Sequence, residues 1–169
     1  MASQPPRATP TSKKDGYPVR NKIISFLAAA GATLAVATIT AAPAEAATPA
    51  IQITRVYYNS PGSDTGSNTS LNAENVRLTN KRTYGINLKY WTLRDNTGYT
   101  YKFASDFKLA PGASVYIHTG KGTNTSTHRY WGRASYVWNN TGDKATVRNA
   151  SGTTIDTCSW GSTGSVTYC

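Results

Sequence analysis

From residue 51 onward, apolar residues recur at every second place in short bursts: IQITRVYY (51–58), YWTLRD (90–95), YTYKFA (99–104) and SVYIH (114–118). That is the period of a half-buried strand, because successive side chains on a strand point to opposite faces. Further strands are expected at 74–80, 135–138 (SYVW), 144–149 and 154–160. No window places apolar residues at i, i+3, i+4 and i+7, so the pattern leaves almost no helix. DNTG (95–98) and NASG (149–152) have the chemistry of tight turns joining neighbouring strands. This many short strands in one domain's length predicts an all-β fold, an antiparallel sandwich. Two polar stretches interrupt the rhythm, 59–70 (NSPGSDTGSNTS) and 119–133 (TGKGTNTSTHRYWGR). Loops of that length are places where binding sites form.

Alternation also sorts side chains. In LNAENVRLTN (71–80), Glu74, Val76, Leu78 and Asn80 share one row, and Asn75, Arg77 and Thr79 share the other. Trp91, Tyr99, Tyr101 and Phe103 fall on inward positions, and Tyr116, between Val115 and Ile117, faces out. Arg77, Arg94 and Lys102 each stand between inward residues, so they form one outward positive stripe if their strands share a sheet.

The opening segment follows a different pattern. Lys13, Lys14, Arg20 and Lys22 precede an uncharged run from Ile23 to Ala44 that ends in AEAA. A basic start, an apolar middle and an Ala-x-Ala end describe a secretory leader over 1–46, with cleavage between Ala46 and Ala47. A retained membrane anchor is the alternative, since the run is long enough to span. Five of the 18 Lys and Arg and two of the eight Asp and Glu lie in the leader, so the net charge of +10 becomes +7 on export. A basic, exported product favours anionic partners: a cell-wall polymer, an acidic lipid surface or nucleic acid. Cys158 and Cys169, an even pair in an oxidising compartment, are expected to form a disulfide closing the tail 161–169 onto a domain spanning 47–160.

The ordered set ENVRLTN, L-x-x-W-x-L-x-D-x-x-G (Leu88, Trp91, Leu93, Asp95, Gly98), Phe103, L-x-P-G-x-S-V (Leu109, Pro111, Gly112, Ser114, Val115) and WNNTGDKATVRNASGTTID resembles the lamin tail domain family. The likeness runs from about 51 to 160. It implies an immunoglobulin-like sandwich and, for exported bacterial members, an accessory or tethering role at the envelope, often beside a hydrolase or nuclease domain. No such companion is visible here. Glu74, Asn80, Trp91, Asp95, Gly112 and Asp143 belong to the shared framework, and with Asp64 they are read as structural.

No catalytic constellation emerges. Carboxylate hydrolysis needs two acids flanking one bond. The acids besides Glu74 after the leader are Asp64, Asp95, Asp106, Asp143 and Asp156, several of them in turn sequences. Glu74 is therefore read as a clamp that accepts hydrogen bonds from loop 59–70 or a neighbouring strand end, so Glu74→Gln is expected to destabilise. Calcium at Asp64 and Glu74 lacks a matching ligand spacing. His118 and His128 with committed cysteines fall short of a zinc set. No metal, cofactor or small-molecule partner is expected. The candidate binding residues are the stripe, Tyr116, and the second loop's Lys121, Arg129, Tyr130, Trp131 and Arg133, while His118 and His128 are read as exposed loop residues; aromatic rings beside basic groups suit sugars or nucleobases. For Trp131, burial against the sandwich is the alternative. The sequence thus points to a monomeric, secreted, non-catalytic binding or tethering module for anionic envelope polymer. The alternatives are a small exported hydrolase or nuclease, and a structural domain that binds a surface protein.

Overall fold

The computed structural model describes residues 47–169; the expected leader and its cleavage point after Ala46 lie outside them. The elements are β1 (Ile51–Tyr57), α1 (Asn68–Ala73), β2 (Asn75–Asn80), β3 (Ile86–Asn87), β4 (Thr92–Arg94), β5 (Thr100–Lys102), β6 (Lys108–Leu109), β7 (Ser114–His118), β8 (His128–Tyr130), β9 (Asp143–Arg148), β10 (Thr154–Trp160) and β11 (Val166–Thr167). One sheet runs β11-β1-β2-β7-β8, a second runs β10-β9-β4-β5, and β3 pairs with β6. Every pairing is antiparallel except β7 with β8. The result is an immunoglobulin-like β-sandwich.

The two large sheets contribute alternate residues to one core. Ile51, Ile53, Val56, Val76, Leu78, Val115 and Ile117 come from the first sheet, and Leu93, Ala145, Val147 and Cys158 from the second. All are essentially without solvent exposure. An aromatic chain runs along this core: Tyr58 stacks on Trp160, which meets Trp138, then Trp131, Tyr101, Phe103 and Phe107 through ring contacts of 5.0 to 6.0 Å. Turn chemistry closes the strands where the sequence places it. Pro111-Gly112 makes the bend into β7, Gly112 taking the positive φ of 69° that a side chain would resist.

Several expectations need correction. SYVW is not a strand: the Val137 N–H is bonded to the Glu74 carboxylate at 3.1 Å, not to a neighbouring backbone. Loop 59–70 leads into α1, whose first turn is capped by Ser67, its hydroxyl accepting from the Ser70 N–H at 3.2 Å. Loop 119–133 contains β8. Tyr99, expected inside, is 44% exposed because it ends the DNTG turn before β5 begins. Trp91 packs at the core's margin only partly buried. The positive stripe does not exist, since β2 carries Arg77 in one sheet while β4 and β5 carry Arg94 and Lys102 in the other. Outer faces of two packed sheets point away from each other.

Cys158 and Cys169 are bonded, with Cα atoms 5.9 Å apart. The bridge anchors the tail that supplies β11 to the first sheet. Reduction, or the double change to Ser, is expected to lower stability by about 2–3 kcal/mol for so short a loop. A denaturant titration with and without reductant checks this, and coincident curves would show that the tail is held without the bond.

Candidate functional site

Glu74 sits at the C-terminal end of α1, only 1% exposed, where the chain enters β2. Its Oε2 accepts the Val137 N–H, so of the two anchors the sequence offered, loop 59–70 or a neighbouring strand end, the clamp takes neither and fastens the irregular segment 135–138. Burial pushes its pKa up from 4.5 to about 7, against the pull of the neighbouring Thr119 hydroxyl and the Val137 and Trp138 N–H groups; the Asp64 charge adds to the rise. A buried acid with a pKa near neutrality has the profile of a general acid. It faces the core and one backbone amide, however, and the nearest titratable influence on it is Asp64, whose own carboxylate accepts from Asn140 Nδ2 on the surface at 3.2 Å.

The other framework acids hold turns. Asp95 accepts the Gly98 N–H at 2.7 Å and the Thr97 hydroxyl. Asp143 accepts the Asn96, Asn139 and Lys144 N–H groups at 3.1, 3.2 and 2.7 Å. These carboxylates already have the donors that an ionised buried acid requires.

The outer face of the first sheet carries a stack of rings that the sequence did not foretell. Because β7 and β8 run parallel with Tyr116 beside His128 and His118 beside Tyr130, the order is Tyr116, His128, His118, Tyr130. Neighbouring centroids lie 5.3, 5.1 and 5.0 Å apart. The Arg55 guanidinium lies 5.3 Å from the Tyr116 ring, and Gly122 packs so closely on Tyr130 that a Cβ there would collide with the ring. The chain's two histidines are hydrogen-bonded to each other at 2.9 Å. The Asn72 carbonyl accepts from His118 Nδ1 at 2.8 Å. A carbonyl cannot donate, so that proton is on Nδ1; with both rings neutral, His118 Nε2 accepts from His128. Burial lowers the His118 pKa; the Asn72 bond opposes this, and the nearby His128 and Arg55 charges reinforce it. Tyr116 and Tyr130 therefore stack within the protein instead of presenting faces to a ligand. Trp131, the other aromatic expected to bind, contacts Trp138 and Tyr101 at 6.0 and 5.9 Å and is half-buried against the core.

The remaining basic candidates fall in separate places. Arg77 donates from Nε to Thr54 Oγ1 at 2.8 Å within the first sheet. Lys121 and Arg133 line a shallow cleft beside α1, the Arg133 guanidinium lying 4.1 Å from the ring of Tyr99. Arg94 and Lys102 do come together, with two cations that parity reasoning passed over. Ala145 and Val147 point into the core, so Lys144, Thr146 and Arg148 on β9 point out. Register sets Thr92 between Lys102 and Arg148, and Arg94 between Thr100 and Thr146. The outer face of the second sheet thus carries Arg94, Lys102, Lys144 and Arg148 among threonines. Arg94, Lys144 and Arg148 line one cleft of about 140 Å³, whose single acid, Asp95, is buried in its turn.

Among the described residues no group of three or more His, Cys, Asp or Glu could hold a metal ion, and no helix is long and apolar enough to cross a membrane. A model of the Lamin Tail Domain family matches residues 44–162. No curated protein matches the chain.

Proposed function

The chain belongs to the lamin tail domain family, an immunoglobulin-like and generally non-catalytic family whose fold implies an interaction module, and from that premise we propose that it is a secreted module binding anionic polymer of the cell envelope. The observation that carries this reading is the four-cation outer face of the second sheet, with no exposed carboxylate on it. Like charges brought within a few side chains of each other repel unless a polyanion answers them. The closed ring stack favours a partner read by charge, because single-stranded nucleic acid uses open aromatic faces. The internal disulfide suits an oxidising compartment.

Binding of a teichoic-acid-like polymer should weaken steeply as salt rises, by counterion release. The variant Arg94→Gln/Lys144→Gln/Arg148→Gln should reduce the slope of log K against log salt by roughly 2–3, while Arg77→Gln, on the opposite sheet, should match the parent. Equal slopes in parent and triple variant would exclude this face. Saturable binding to a surface protein, without salt response, would support the protein-interaction reading in its place.

A further inference from the structure

Beside the free edge of β5 lies a cavity of about 220 Å³, outside the cleft formed by Arg94, Lys144 and Arg148. Lys102, Ser105, Phe107, Asn124 and Arg129 line it, and no carboxylate does. Arg129 projects from β8, and its guanidinium lies over Phe107, 4.0 Å from the ring centroid. Its Nε is buried without a hydrogen-bond partner. A ring under a guanidinium fixes its plane while leaving the edge N–H groups free to donate. The Asn124 Oδ1 accepts the Tyr130 N–H at 3.0 Å, which orients the amide and leaves its NH₂ as a donor. Lys102 also lines the cavity, its ammonium lying 4.9 Å from the Tyr90 ring. The charge lining this cavity is therefore wholly positive, with N–H donors of Arg129 and Asn124 left to give.

We infer that this cavity is a binding site for a phosphate group carried on a small polyol or sugar. Phosphate supplies the acceptors and the charge that Arg129, Lys102 and Asn124 lack, and the rest of the cavity's volume takes the carbon part. The volume falls below the roughly 300–1,000 Å³ of sites for larger molecules, which fits one such unit. The site shares Lys102 with the cationic face but none of Arg94, Lys144 and Arg148, and polymer ends or free phosphate esters would both supply its ligand.

The test is a side-chain nitrogen NMR titration at constant ionic strength with inorganic phosphate, glycerol 3-phosphate and a DNA duplex. Saturable shifts at Arg129 Nε and Asn124 Nδ2 are expected with glycerol 3-phosphate, weaker binding with inorganic phosphate, and none with duplex, whose diester backbone cannot enter. Arg129→Gln should weaken the ester about tenfold or more, as loss of a charge-assisted bond does. Lys102→Gln, an exposed change that spares the fold, should weaken it severalfold, and Arg94→Gln/Lys144→Gln/Arg148→Gln should leave it unchanged. Shifts that never saturate, or parental affinity in both Arg129→Gln and Lys102→Gln, would overturn the site. A parent protein that takes the ester but does not bind polymer would refute the proposed function alone.

Discussion

Replacing Asn80 with Leu should cost about 3–5 kcal/mol, a drop in melting temperature of about 10–20 °C for a domain of this size. Asn80 is fully buried at the end of β2. Its Nδ2 donates to the carbonyls of Tyr84, Leu109 and Ala110 at 2.8, 3.0 and 3.1 Å, and its Oδ1 accepts the Arg82 N–H at 2.9 Å. One amide thereby ties the end of β2 to the 81–84 turn and to the bend between β6 and β7. Leu matches the volume but abandons three acceptors and a donor, and an unsatisfied buried polar group costs about 1–3 kcal/mol. The carbonyls share two N–H hydrogens, so the losses do not simply add. Asn80→Asp should be at least as damaging, since it turns a carboxylate toward three carbonyl oxygens. Urea unfolding of parent and variants measures the cost. A loss under about 1 kcal/mol for Leu would mean that these carbonyls are satisfied by water and that the tie is incidental.

How much of this was legible depends on the range of the interaction. Parity is local, and it placed Glu74, Val76, Leu78 and Asn80 inside and Arg77 and Thr79 on the outer row. Turn chemistry is local too, and DNTG and NASG join β4 to β5 and β9 to β10. What failed needed knowledge of partners. Alternation assigns a residue to a face of its own sheet but not to a sheet, so Arg77 was grouped with Arg94 and Lys102 although β2 pairs with β1 and β7. Lys144 and Arg148 obey the same parity as Arg94, and the NASG hairpin with the β4–β9 pairing would have been needed to add them. The six-residue α1 buries only Leu71, too little for a helical period to register. The two histidines are ten residues apart and meet only because β8 lies parallel to β7, a pairing with no turn signal. Val137 and Trp138 have the composition of a strand, but a carboxylate from distant Glu74 takes the Val137 amide.

Between pH 4.5 and pH 8 the contribution of Glu74 to folding stability is expected to fall by about 3 kcal/mol, and Glu74→Gln should abolish that fall. The carboxyl titrates near 4.5 unfolded and about 7 folded. Between those values the folded chain holds a proton that the unfolded chain has released, so stability is greatest below 4.5 and is lost as pH rises through about 7. A shift of this size, at 1.36 kcal/mol per unit, gives the magnitude. The sequence-based expectation that Gln would destabilise assumed a carboxylate whose donors outweigh its burial; the structure reverses the balance, because burial is the largest influence and only Val137 makes a well-formed bond. Gln resembles the protonated acid, so the variant should lie within about 1 kcal/mol of the parent at pH 5, where one neutral hydrogen bond differs at most, and exceed it at pH 8. His118 acts in the opposite sense. Its pKa is lowered in the fold, so the unfolded chain takes up the proton first and stability declines as pH falls below about 6.5. Subtracting the parent's stability–pH curve from that of Glu74→Gln cancels the histidine and isolates the carboxyl. A flat difference curve from pH 5 to 8 would show that Glu74 ionises as freely in the fold as outside it, and the clamp would then have to be an ionised one.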